Sequence, residues 1–169
     1  MKNRNSKFNG FSLIEMMVVI SIILILVVLI LANYRGSQNR YALAQAAQKL
    51  ISDLRKTQNM AISGAGIYKG YGIHANSNST FYTSFGDSND NQRFDGGDTA
   101  LETINLPAKI KILSVFPSSG GLDIAFRPPA PITYINGQPT SGLSAVFTLQ
   151  TDDGSLTKTV TVTTAGLIQ

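Results

Sequence analysis

The sequence contains no cysteine and only one histidine, His74. Without thiols there can be no disulfide scaffold, no thiolate zinc site, no lipoprotein anchor and no cysteine nucleophile. One imidazole cannot build a multi-histidine metal centre, and no Ser or Cys constellation accompanies it. No enzyme is expected. Charge is also scarce. Charged residues make up 14% of the chain and hydrophobic ones 43%, which excludes a solvated disordered chain.

The 169 residues suffice for one modest core. The formal charge of +4 is unevenly placed. Residues 1–64 carry eight Lys or Arg against Glu15 and Asp53, whereas residues 65–169 carry six against eight acids. The basic character belongs to the front.

That front opens MKNRNSKFNG, with Lys2, Arg4 and Lys7 and no acid. An apolar run from Phe11 to Ala32 follows, interrupted only by Ser12, Glu15 and Ser21. As a helix it would extend roughly 33 Å, enough for a bilayer core of about 30 Å. It is longer than a secretory h-region and no A-x-A-like site follows it. A buried carboxylate costs about 2.5 to 3.5 kcal/mol on insertion scales, so Glu15 needs a partner. No cation lies one helical turn from it. A chain cut between Gly10 and Phe11 would present a positive α-amine at that depth, in the same chain or a neighbour.

Gly10-Phe-Ser-Leu-Ile-Glu15, between a basic leader and an unbroken apolar run, resembles the prepilin-peptidase signal of type IV pilins and type II secretion pseudopilins. The resemblance implies that Gly10 ends a removed leader, Phe11 becomes an N-methylated terminus and Glu15 is the assembly glutamate. Ala32 stands where many relatives have a kinking proline, and Leu24 where many have glycine, so a straighter helix is expected. Ala46 to Ile62, with Leu50-x-x-Asp53-Leu54-Arg55, is similar to the GspH/FimT subgroup.

Beyond Asn33, Leu43, Ala47, Leu50, Leu54 and Ala61 form an amphipathic stripe, with Arg40, Gln45, Lys49, Asp53 and Lys56 off it. Ser63 to Gly66 would stop the helix. The spacing predicts nearly one helix over residues 12–62, about 75 Å long. From Gly66 the period changes to two. Expected strands are Ile67–Ala75, Thr80–Phe85, Leu101–Leu106, Lys109–Phe116, Leu122–Phe126, Ala145–Thr151 and Leu156–Thr163. Asp152 to Gly154 reads as a hairpin turn, and Arg127-Pro-Pro-Ala-Pro131 as an irregular connection. The expected class is α+β: a long helix packed against a small antiparallel head. Residues 1–10 would be leader, 11–32 a membrane or filament-core helix, 33–64 its amphipathic continuation and 65–169 the head.

Asp87, Asn89, Asn91, Asp95 and Asp98 place oxygens at positions 1, 3, 5, 9 and 12 of a loop, and the Arg93 carbonyl supplies position 7. That is calcium-loop spacing, although Gln92 replaces the expected glycine and Asp98 the usual glutamate. The competing reading is a polar Asn/Asp/Gly turn. His74 is expected as a strand residue near the surface. Some members of the resembled subgroup act in DNA uptake through a basic tail, but Thr164 to Gln169 carries no cation, and loss of the leader takes the net charge from +4 to +1. No DNA-binding residue is assigned.

The expected function is a non-enzymatic minor pilin or pseudopilin of a type IV pilus or type II secretion fibre. Its implied partners are prepilin peptidase, other pilin subunits and the membrane. It would sit in the inner or cytoplasmic membrane with its head outside the cytoplasm. The alternatives are a DNA-binding minor pilin for transformation, or an anchored head with no filament role.

Overall fold

The computed structural model describes residues 10–64, 66–128, 132–139 and 142–169, leaving aside the side chains of 31–36. Met1 to Asn9 of the basic leader, and Pro129 to Pro131 of the irregular connection, lie outside the described residues. The chain forms two compact units, Met1–Gln38 and Asn39–Gln169.

Helix α1 (Leu13–Ile62) has identifiable signals at both ends. At its start Ser12 Oγ accepts the Glu15 N–H at 3.2 Å. Ser-x-x-Glu is the capping-box pattern, and an acid in the first turn complements the positive end of the helix dipole. At its end Gly64 takes φ +59° and donates to the Ala61 carbonyl at 3.3 Å, a turn that a side chain would disfavour.

In the first unit, Leu13–Ile30 has a mean hydropathy of 3.2 and none of it is buried. Ser21 returns its hydroxyl to the Met17 carbonyl at 2.8 Å, which satisfies the polar group within the helix.

In the second unit the helix presents Leu43, Ala46, Ala47, Leu50, Leu54 and Ala61 to the core, every one of them buried. Eight strands follow: β1 (Gly70–Asn76), β2 (Phe81–Asp87), β3 (Thr99–Asn105), β4 (Ile110–Phe116), β5 (Gly121–Arg127), β6 (Ile132–Ile135), β7 (Ser144–Thr151) and β8 (Thr157–Thr163). They form a five-stranded sheet ordered β3-β2-β1-β5-β6 and a three-stranded sheet ordered β4-β7-β8, antiparallel throughout. Alternation aims one face of each sheet inward. Tyr71, Ile73 and Ala75 of β1, Leu122, Ile124 and Phe126 of β5, and Ala145, Phe147 and Leu149 of β7 join the helix stripe in one core.

All seven expected strands are present, with Asp152 to Gly154 turning between β7 and β8. The strand missed from sequence is β6. It has only four residues, and its Asn136-Gly137 turn, with φ +49° and +73°, was legible as a hairpin signal.

The chain end is part of the second sheet. Thr161 and Gln169 exchange backbone hydrogen bonds at 2.8 and 3.0 Å, and Ile168 is buried.

Candidate functional site

The three residues singled out at the front, Gly10, Phe11 and Glu15, are exposed. Phe11 is 77% exposed, and a Cβ built on Gly10 would meet nothing within 4 Å. Packing among the described residues therefore does not require glycine at position 10. Glu15 sits in the first turn, its backbone N–H capped by Ser12. The Ser-x-x-Glu pattern could have been read in the sequence as a cap. It gives Glu15 a structural reason to sit at the helix start.

In the subgroup-like segment the structure corrects one expectation. Asp53, placed off the buried stripe, is only 6% exposed. Its Oδ1 accepts from Lys49 Nζ at 2.6 Å and its Oδ2 from the Tyr82 hydroxyl at 2.6 Å. Tyr82 is buried on β2, and burial together with the Asp53 carboxylate holds its hydroxyl above the ordinary tyrosine range. Asp53 thus clamps the helix to the sheet, and the low polarity around it makes loss of either partner costly. Periodicity missed this because the partner lies 29 residues away. Beside it Lys56 reaches Glu102 on β3 at 3.2 Å. Arg55 and Gln58 donate to the carbonyls of Ile168 and Gly166, which ties the chain end to α1.

The polar loop between β2 and β3 turns its carboxylates onto its own donors. Asp87 is fully buried and accepts the N–H groups of Asp90 and Gln92 at 2.8 and 2.9 Å. Asp95 accepts the side-chain amides of Asn89 and Asn91 and the Gly97 N–H, and that N–H, followed by the amides, holds it below the usual carboxylate range. Asp98 accepts from Ser88 and Asp95 N–H, both at 3.0 Å. Arg93 donates through its side chain to the Asn136 carbonyl at 2.9 Å. Among the described residues no group of three or more His, Asp or Glu is placed to hold a metal ion. The six residues given calcium-loop spacing lie in one hydrogen-bonded turn.

This loop also covers the sheet face that points away from α1. Phe94 packs on His74 and Phe85 with ring centroids at 5.1 and 5.3 Å. Gly72 makes room for the Phe85 ring, since a Cβ there would lie 2.6 Å from it. His74 meets Asp123 at 2.7 Å, with both side chains mostly buried. It is therefore more enclosed than the near-surface position expected. Arg127 pairs with Asp90 at 2.7 Å, a second tie from the sheet to the loop.

Residues 5–31 match the prokaryotic N-terminal methylation motif. Residues 46–166 match the family described as type II transport protein GspH. Among solved structures the chain is similar to the type IV minor pilin FimU of Pseudomonas aeruginosa strain PAO1. That likeness covers 77% of this chain and 88% of that one at 16% identity, with a TM-score of 0.51. At such identity it shows the type IV pilin-like α+β fold alone. No curated protein matches the chain. The GspH match spans well over half of the residues and continues the methylation motif at the front. The chain therefore belongs to the GspH family of type II transport proteins, structural pilin-like proteins rather than enzymes.

Proposed function

We propose that the chain is a minor pilin or pseudopilin, a structural subunit of a type IV pilus or type II secretion fibre. Prepilin peptidase would cut after Gly10 and the new Phe11 terminus would be methylated. Residues 11–32 would then anchor the subunit in the inner membrane, with residues 33–64 continuing the helix and residues 65–169 forming a head outside the cytoplasm. On assembly the same helix would leave the lipid for a bundle of its neighbours' helices in the fibre.

The observation that carries this reading is the apolar stretch Leu13–Ile30, none of it buried, with Glu15 in a first turn capped by Ser12. A surface of that extent demands lipid or other helices around it. In low dielectric, Glu15 on one subunit and the Phe11 amine on a neighbour relieve each other's charge, and breaking the pair strands one of them. That pairing fixes axial register without any catalytic group.

Residues 164–169 give no support to DNA uptake. Thr164 to Gln169 is cation-free, and its backbone is committed to β8 and α1. Mass spectrometry of the mature amino terminus tests the reading. A methylated Phe11 is expected, and intact Met1-initiated chains in cells that make the peptidase would overturn it.

A further inference from the structure

The two sheets have four outer margins, on β3, β6, β4 and β8. Three of them meet further backbone. Gln138 folds back onto Ile135 of β6, Ser79 bridges Ile112 of β4, and Gln169 pairs with Thr161 of β8. β3 has no such partner among the described residues. The Leu106 N–H donates to the Thr80 carbonyl at 2.8 Å, so alternation turns residues 104 and 102 toward β2 as well. The main-chain groups of Thr103 and Asn105 therefore face outward. The ladder shifts register opposite Ser84 and Phe85, which limits the regular margin to residues 102–105.

This margin runs beside a seam with α1 that is only partly filled. Near one end a mostly apolar groove of about 510 Å³ is walled by Gln45, Ala46, Tyr82, Ile104, Leu106 and Pro107. Near the other a hollow of about 140 Å³ lies among Thr57, Met60, Leu101 and Ile104. Their walls on the helix, residues 45–49 and 53–60, are centred roughly 14 Å apart. Two side chains on one face of a strand, four residues apart, are separated by roughly 13 Å. The charges along the seam are already matched, Lys49 with Asp53 at 2.6 Å and Lys56 with Glu102 at 3.2 Å. The seam thus asks an occupant for backbone hydrogen bonds and apolar contact, and for no charge.

We propose that β3 accepts an extended, uncharged segment of a different protein, which adds a sixth strand to the larger sheet and seats two apolar side chains, four residues apart, in the groove and the hollow. Main-chain hydrogen bonds supply the affinity and the two recesses select the sequence. A second copy does not fit this role. β3 runs opposite to α1, since Gln45 and Lys49 flank Leu106 and Pro107 whereas Lys56 meets Glu102. Two β3 strands paired antiparallel would point their α1 helices in opposite directions, which subunits anchored in one membrane cannot do. Paired in parallel, the second β3 would present Thr103 and Asn105, both polar, to the apolar recesses. The antiparallel exclusion rests on the fibre reading, whereas the recesses and the open margin do not.

A peptide probe tests this on the detergent-solubilised full-length chain. Fluorescent acetyl-Ser-Ile-Gln-Thr-Gln-Ile-Ser-amide, with its isoleucines four apart, should bind saturably by anisotropy. Moving the isoleucines to three apart puts them on opposite faces and should weaken binding several-fold. Of two versions N-methylated at alternate residues, one phase should lose binding and the other keep it. Thr103→Pro removes an outward N–H while sparing the bonds to β2, and should weaken binding about tenfold at an unchanged melting temperature. Gln45→Phe, which fills the groove from an exposed position on α1, should weaken it several-fold. Absence of saturable binding at millimolar peptide, indifference to isoleucine spacing, or equal behaviour of the two methylation phases would each overturn the proposal. So would a dimer of the chain that Thr103→Pro abolishes, which would hand the margin to a second copy. The mass of the amino terminus, read on the same preparations, judges the fibre reading separately.

Discussion

Two stretches of one helix meet opposite conditions. Over Leu13–Ile30 no side chain is buried, although nearly all are large and apolar. Over Leu43–Ala61 a stripe of Leu and Ala, joined by Asp53 and Thr57, is buried and the exposed residues are polar. The first stretch has no preferred face, so any apolar surrounding on any side satisfies it. The second has one face, which its own sheets cover. At about 1.5 to 3 kcal/mol per buried Leu-sized side chain, the second stretch spends its hydrophobic free energy within the chain. The first holds its share in reserve for lipid or for other subunits.

The strongest break in this comparison comes at the junction before the first stretch. Gly10→Val adds a branched side chain where the fold has open space. It should leave the head's melting curve unchanged, yet abolish processing and fibre incorporation, as read by the mass of the amino terminus and by fibre sedimentation. Next is Leu50→Ala in the second stretch, which empties a fully buried position. It should cost about 2 to 5 kcal/mol in denaturant unfolding while leaving membrane retention unaltered. Glu15→Val should do the reverse: membrane retention kept or improved, head stability unchanged, fibre incorporation reduced. Wild-type incorporation would remove the pairing role from Glu15.

A smaller effect is expected at the clamp. Asp53→Ala leaves the buried Tyr82 hydroxyl without its acceptor and should cost about 1 to 3 kcal/mol. Combined with Tyr82→Phe it should cost less than the sum of the two singles. The smallest effect concerns acid. The Thr151 hydroxyl, with Ser155, lowers the Asp153 carboxyl to about 2. Its folded value lies below the unfolded one, near 3.9. Its contribution is therefore complete above about pH 4 and fades as pH falls toward 2. Asp153→Asn should flatten that limb of an acid melting series slightly and change nothing at pH 7.

Much of this was legible from residues alone, because period and punctuation are local signals. The apolar run, the Leu43 to Ala61 stripe, seven strands and the methylation motif all announce themselves within a few neighbours. What stayed hidden depends on distant partners. Asp53 looks like a solvated helix acid until Tyr82 is placed beside it, and His74 looks like a surface residue until Phe94 and Asp123 enclose it. The polar loop shows a further limit. Ligand spacing and turn composition are compatible along one line of sequence, and the sequence alone does not say toward which N–H each carboxylate turns. β6 escaped because four residues beside a proline run carry too little period to register.

The pairing of Gln169 with Thr161 has a practical side. An unguarded outer strand is an invitation to aggregate, and here residues 167–169 guard the Thr161–Thr163 end of β8 like a rail. Trimming them would trade a guarded sheet margin for a sticky one, so a shortened chain should precipitate before it unfolds. A label appended after Gln169, by contrast, leaves those hydrogen bonds intact.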